Sequence, residues 1–433
     1  MNVYWKQIVK LFFPLLGARI GLFLLSAVDT VMLGYASAEH VALQSIGDTP
    51  VSLVLLIVDG LLQGTFFTTT HAFGRKDYIG VGQSFREALK YGAWLSLLAI
   101  PCFCFLPMVV SVLGYTAEQS EAAANIIRIL SLGIPFSVMF FVCTFFLNGI
   151  KQIWVVTAFV FGANFINIGL DWVLINGMFG FPRLLSVGAA IATCVVRGVM
   201  GCGLLAYILC CSDFKKFRFF ERTKKQDLAK EQKKFGYGAT ANILSHEIGI
   251  AFCLFFVANI EMMSASAYTL VYRFYVLANV LGCCFALAGS ILSGKYVKEN
   301  NETLSVIYKT TLRVNAFVMC LVGLGCFFGA EKLAYWMTSD IGLAKITVPL
   351  IRVISLAMFL RATNSVQIIL LRNSSFLLWP SLLYGGCFAL LMPAVCVWWG
   401  SLFGVYGVVW ALILANICAT MMLQVVLVRK KVI

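Results

Sequence analysis

Charge is scarce along this chain: Asp, Glu, Lys and Arg together make up 12% of 433 residues, against about 25% in an ordinary soluble domain. A water-soluble fold of this size would lack the charged side chains to cover its surface, and that class is excluded. Histidine is scarcer still, with three in all, and there is no Asp-rich metal motif and no Ser/His or Gly-x-Gly-Asp arrangement in facing apolar segments. Without such a constellation the chain is read as not an enzyme. Acids are also outnumbered, 19 against 33 Lys and Arg. That excess sits in short loops between apolar runs, where membrane orientation places it, so nucleic acid is not expected as a partner. A disulfide framework is missing too. Most of the 15 cysteines, including Cys102, Cys104, Cys253, Cys283 and Cys284, fall inside apolar runs and read as small buried thiols.

What the chain has in abundance is apolar residues, 61% of the total. Runs of about twenty or more recur from end to end, each able to cross about 30 Å of hydrocarbon as a helix. The reading predicts an all-α integral membrane protein with about twelve spans near 11–34, 50–73, 91–113, 123–148, 153–177, 185–210, 236–258, 264–293, 312–330, 346–371, 379–399 and 403–428. Lys6 and Lys10 precede a first run too long for a signal-peptide core, so this span is expected to stay in the membrane. With the amino terminus in the cytoplasm, most basic residues fall in inside loops and only Arg183, Lys332 and Lys345 in outside ones. That asymmetry predicts both termini inside and a multi-pass protein of the plasma membrane.

The stretch Cys211–Lys234 is the single long charged segment and follows the sixth span. It predicts a six-helix lobe over 1–212, a basic cytoplasmic linker over 213–235 and a second six-helix lobe over 236–433, the lobes related by pseudo-twofold symmetry. Weak internal similarity agrees: Ser-Val-Gly-Ala-Ala at 186–190 opens the sixth span much as Phe-Gly-Val-Tyr-Gly at 403–407 opens the twelfth.

Acids inside spans carry the functional signal, because a carboxylate at mid-membrane costs about 2.5–3.5 kcal/mol even on permissive scales. Four stand out: Asp29, Asp59, Asp171 and Glu247. Asn167 and Asp171 are an i, i+4 pair on one face of the fifth span. In the sixth, Gly188-Ala189-Ala190-Ile191-Ala192-Thr193 combines small residues with a hydroxyl. The proposed topology puts Asp29, Asn167, Asp171 and Thr193 in one layer, roughly 8–15 Å from the outer surface. Such a layer suits sodium, which seeks oxygen ligands, or a proton, which needs a carboxylate. Glu247 near the middle of the seventh span is a candidate for a cationic substrate or a proton, with His246 beside it as a polar packing residue. Asp59 is a second cation-facing candidate, or a partner for an intramembrane Arg such as Arg197. An intramembrane acid can equally be a structural link between helices.

These features resemble the multidrug and toxic compound extrusion (MATE) family, over essentially the whole chain. The resemblance rests on Pro14 with Val28-Asp29-Thr30-Val31-Met32-Leu33-Gly34, on Gly60-x-x-x-Gly64 with Gly74, on Asn167-x-x-x-Asp171, on Gly188-Ala189-Ala190-x-Ala192-Thr193, and on Glu247. It implies a two-lobe antiporter that expels small organic cations, amphiphilic ones, against inward sodium or protons, with no cofactor beyond that ion. Asp29, Asn167, Asp171, Thr193 and the Ala189 carbonyl then look like the amino-terminal cation site, and Glu247 the acid of the second lobe. One departure concerns the tenth span, where some relatives carry an acid and this chain offers Asn364. Asn cannot titrate, which shifts the expected coupling to the first lobe. The chain is expected to act as a monomer. The rival reading is a flippase for lipid-linked oligosaccharides of the same architecture, kept open by Arg19, Arg128, Arg197, Arg273, Arg352 and Arg361 within the spans.

Overall fold

The computed structural model describes residues 3–112, 116–219, 221, 227–296, 301–338, 340–374 and 378–429. It is all-helical, with no strand among the described residues. The first half runs α1 Val3–Ala36, α2 Ala38–Leu62, α3 Gly64–Gly74, α4 Tyr78–Ser96, α5 Ala99–Val112, α6 Ala117–Leu132, α7 Ile134–Gly149, α8 Ile153–Asn176 and α9 Leu185–Cys210. The second half runs α10 Asp227–Ile260, α11 Met262–Ser293, α12 Asn301–Phe328, α13 Ala330–Met337, α14 Ile341–Asn373, α15 Leu378–Gly386, α16 Met392–Phe403 and α17 Val405–Arg429, with a π turn at Cys387–Leu391. Among the described residues ten continuous stretches are long and apolar enough to cross a membrane, and twelve when two bent pairs, α6 with α7 and the two halves of α14, each count as one span. The α6–α7 pair bends by 42° around Gly133, with Pro135 opening the second helix, where a proline is tolerated.

Local chemistry explains where helices begin. The Ser37 hydroxyl accepts from His40 N–H at 3.5 Å and caps α2, which therefore starts twelve residues before the expected edge at 50. Thr116 and Gln119 form a reciprocal capping box at α6, and Asp340 accepts from Gly342 and Leu343 at 2.7 and 3.2 Å to open α14. Between α8 and α9 the chain reverses through Gly177, whose φ of 73° suits a residue without a side chain. The two helices then come so close that a Cβ at Gly188 would meet the Leu174 backbone at 2.8 Å. That is the physical work of the small residues that open the sixth span.

The residues divide into two compact units, Gly17–Gly236 on one side and Met1–Leu16 with Tyr237–Ile433 on the other. The boundary falls inside two continuous helices, α1 and α10. In the second unit Phe12 of α1 stacks on Phe285 at 4.0 Å. In the first, Asn164 Nδ2 donates to Gly21 O at 3.0 Å. The segment expected as a basic cytoplasmic linker is packed at several residues. Phe214 and Phe217 are buried, Gln232 Nε2 donates to Thr65 Oγ1 at 2.6 Å, and Phe235 stacks on Phe67 at 5.2 Å. Its lysines are part of this: Lys216 lies over Tyr78 and Lys233 over Tyr91. Residues 222–226 of the segment lie outside the described residues.

Candidate functional site

Three helices of the first unit bring four polar residues to one point. Asp29 on α1 receives two hydrogen bonds, from Asn167 Nδ2 of α8 to Oδ1 at 2.6 Å and from Thr193 Oγ1 of α9 to Oδ2 at 2.8 Å. The same Asn167 amide donates to Asp171 Oδ2, one helical turn away. Asp171 and Asn167 are fully enclosed and Asp29 nearly so. Asn167 Oδ1 and Asp171 Oδ1 have no hydrogen-bond partner among the described residues. Two carboxylates thus share one amide donor in a low-dielectric setting, leaving two acceptor oxygens unmet. Such a cluster is short of positive charge, which a proton or a small cation would supply.

No group of three or more His, Cys, Asp or Glu that could hold a metal ion occurs among the described residues. The donors in the cluster are hard oxygens from two carboxylates, an amide and a hydroxyl, which suit an alkali ion rather than a thiophilic metal.

The hydrogen bonds within this cluster do not include Ala189. It is buried in an apolar contact with Leu33 and Ile175. Leu33 follows Asp29 by four residues, Ile175 follows Asp171 by four, and Ala189 precedes Thr193 by four on the antiparallel helix. Each is one turn further along in the same direction, so the three make an apolar plug beside the polar layer. The Ala189 carbonyl lies inside continuous helix, where it accepts from the backbone four residues on.

On its other side the cluster opens to a cavity of about 380 Å³ within the same unit, at the lower end of ligand-pocket sizes, roughly 300–1,000 Å³. Asp29, Asn167 and Thr193 line it, together with Gln44 and Asp48 of α2 and Arg197 of α9. Leu22, Leu25, Phe140, Phe141 and Met200 supply apolar wall. Asp171 is not part of the lining; it stands behind Asn167. Asp48 and Gln44 were missed because the second span was drawn from residue 50. The signal that could have found them is the Ser37 cap, since a proline such as Pro50 does not require a helix to start there.

Asp59 accepts from Gln63 Nε2 at 3.2 Å and feels the charge of Arg19. The pairing with Arg197 considered from sequence is not formed; Arg197 Nη2 lies 3.9 Å from Asp48 Oδ1 instead.

The second unit holds Glu247 in a different setting. Its Oε1 lies 3.4 Å from His246 Nδ1, so the two neighbours touch despite their angular offset on the helix. His246 is buried, parallel to Tyr275 at 5.8 Å and against Phe388 at 5.0 Å. Arg361 lies over the rings of Tyr275, Tyr384 and Phe388 at 5.4, 5.9 and 5.9 Å and donates to Tyr384 OH. Asn364 is buried among side chains: its Nδ2 donates to Asn416 Oδ1 at 3.1 Å and its Oδ1 accepts from Thr420 at 2.8 Å. It ties α14 to α17.

A profile of the MatE family matches residues 14–173. A probable multidrug resistance protein NorM of Caulobacter vibrioides is 24% identical over 426 residues, spanning 95% of this chain and 89% of that one. The chain is similar to the multidrug and toxic compound extrusion family. The family is one of multi-pass membrane transporters, and the stretch matched by its profile contains Asp29, Asp59, Asn167 and Asp171 but ends before Thr193, Glu247 and Asn364. Multidrug resistance protein PmpM of Pseudomonas aeruginosa is 25% identical over 229 residues, 52% of this chain and 47% of that protein. The fold matches a crystal structure of MATE in the bent conformation with a TM-score of 0.89 at 18% identity, over 99% of this chain and 96% of the other. It also matches an outward-facing multidrug resistance MATE family transporter of the MOP superfamily, with a TM-score of 0.84 at 19% identity over 100% and 96%.

Proposed function

We propose that this chain is a MATE-type multidrug efflux antiporter of the plasma membrane, with both termini cytoplasmic, that exchanges cationic amphiphiles for sodium ions or protons by alternating access. The observation that carries the reading is the double engagement of Asp29. One carboxylate lines the cavity and is bonded through Asn167 to the enclosed Asp171. A cation in the cavity and an ion at the Asp29, Asn167, Asp171, Thr193 cluster draw on the same negative charge, so occupancy of one disfavours the other. Such mutual exclusion is what exchange requires, since a ligand that binds both states equally shifts nothing. The names of the similar NorM and PmpM proteins support multidrug compounds as the cargo.

Asn364 supports coupling through the first unit, because its amide is committed to Asn416 and Thr420 and has no proton to exchange. Glu247, joined to His246, is left as a substrate or proton group of the second unit, and Asp59 as a structural link to Gln63 and Arg19. The flippase reading asks for several basic side chains converging on a pyrophosphate. The cavity here is lined by Arg197 with two aspartates, Asp29 and Asp48, a poor match to that charge.

The test is gradient-driven efflux of a fluorescent lipophilic cation from liposomes under an imposed sodium gradient and then a proton gradient. Efflux that follows one gradient identifies the ion. Efflux that follows neither overturns the antiport reading.

A further inference from the structure

Two arginines within the spans lie beside acids: Arg352 Nη2 sits 2.9 Å from Glu331 Oε1 and Arg197 Nη2 3.9 Å from Asp48 Oδ1. Arg361 of α14 is different. It is buried and forms no ion pair with a carboxylate among the described residues. Its guanidinium faces aromatic rings instead: Tyr275 of α11 at 5.4 Å, Tyr384 of α15 at 5.9 Å and Phe388 of the π-helical turn at 5.9 Å. His246 of α10 closes the group, parallel to Tyr275 at 5.8 Å and 5.0 Å from Phe388. Glu247 beside it is partly exposed and near enough for its charge and that of Arg361 to act on each other. Rings around a cation with an acid at the rim are the arrangement by which proteins recognise organic cations, quaternary ammonium above all.

The walls of this cage are anchored without Arg361. Tyr275 OH donates to Asn416 Oδ1 at 3.1 Å and accepts from Asn416 Nδ2 at 2.9 Å. A Cβ at Gly249 would meet Phe388 O at 2.2 Å, so α10 lies directly on the π-helical turn and fixes the ring that it carries. Turns of this kind are rare inside α-helices and gather at functional sites. Tyr384 packs on Phe388 at 4.6 Å, and His246 Nδ1 is 3.4 Å from Glu247 Oε1. The guanidinium adds a hydrogen bond to Tyr384 OH and fills the space that the rings enclose.

We propose that Tyr275, Tyr384, Phe388 and His246 form a binding site for a compact organic cation and that Arg361 is its built-in occupant, so that the site is closed in wild type and opens when this side chain is removed. Arg361 is then a specificity-determining residue. It leaves external cations only the cavity of the first unit, and it keeps a permanent positive charge beside Glu247. The proposal concerns binding alone and stands whether or not the chain couples efflux to an ion.

The experiment measures binding of tetramethylammonium to purified protein by calorimetry and by thermal unfolding, with tert-butanol as a neutral molecule of similar shape. Every protein compared carries Asp29→Asn, which removes the acid of the first-unit cavity. Arg361→Ala is expected to bind tetramethylammonium and to unfold at a higher temperature in its presence, while tert-butanol does neither. With Arg361 in place, or with Arg361→Lys, the cage keeps a cation and no such binding is expected. Adding Phe388→Leu to Arg361→Ala is expected to weaken binding by about tenfold, within the range of a desolvated cation–π contact. A purely structural arginine gives another pattern, and each part of it overturns the proposal: Arg361→Ala takes neither probe or both alike, Phe388→Leu changes nothing, or the protein with Arg361 binds the cation equally well. Should Arg361→Ala fail to fold in ordinary buffer, its purification in tetramethylammonium chloride is compared with that in sodium chloride of the same concentration. Folded protein recovered from the first salt sustains the proposal; none from either sinks it.

Discussion

Asp171 is the residue whose chemistry can be isolated most cleanly, because it lies outside the cavity lining, joined to Asn167 and interacting with Asp29 from behind them. Replacing it with Asn keeps shape and hydrogen bonding while removing a charge. We predict that Asp171→Asn loses ion-driven efflux at normal expression, whereas equilibrium binding of an organic cation in the cavity survives through Asp29. Efflux assays and binding measurements on the same preparation check this. Thr193→Val deletes one of the two donors to Asp29 and is expected to weaken ion dependence by about tenfold, the value of one hydrogen bond to a charged group. Asn364 belongs to another category. Asn364→Ala leaves Asn416 and Thr420 with broken bonds inside the second unit, which costs about 1–3 kcal/mol. A lowered melting temperature with unchanged ion selectivity is the expected result. Much of the four-residue cluster was legible from sequence, since the i, i+4 spacing of Asn167 and Asp171 and the shared depth of Asp29 and Thr193 are properties of helices alone. Ala189 was not legible in the same way. One turn away from Thr193, its small side chain packs on Leu33 and Ile175, a contact that spacing alone does not show.

At the scale of elements, close approaches of backbone fix the frame around the site. A Cβ on Gly64 would fall 1.9 Å from Gln232 O, and one on Gly236 would fall 2.1 Å from Leu61 O. The start of α10 is therefore locked onto the junction of α2 and α3. Gly64→Ala is expected to destabilise the protein by at least about 1–3 kcal/mol through backbone displacement, read as a fall in melting temperature or in the yield of folded protein. The sequence reading placed span centres well but span ends poorly, and the reason is physical. Hydropathy reports where the bilayer is, while a helix extends until a cap or a turn stops it. α2 begins at Ala38 behind its Ser37 cap and α10 at Asp227, both well outside the apolar stretch, and these extensions carry Asp48 into the cavity wall and Gln232 and Phe235 into the first unit. The charged segment reads as a linker because lysines dominate it; its phenylalanines Phe214 and Phe217 are the signal that parts of it are also buried.

For the whole molecule, scarcity of charge and long apolar runs were enough to fix an all-helical membrane fold, because a bilayer admits few alternatives once every backbone group must be satisfied internally. Two compact units meet that requirement here, with α1 and α10 each belonging partly to both. They differ in how they treat polarity. The first joins acids to a cavity; the second encloses Arg361 in aromatic rings and closes Asn364 into a buried network. This asymmetry is why exchange is assigned to the first unit. The claim is most directly tested by competition at equilibrium: binding of a fluorescent organic cation to purified protein, titrated with sodium and separately with acid, for wild type and Asp29→Asn. The account predicts that one of the two ions displaces the organic cation from wild type in a competitive manner, and that Asp29→Asn both binds the cation more weakly and loses the displacement. Displacement that persists undiminished in Asp29→Asn would contradict it.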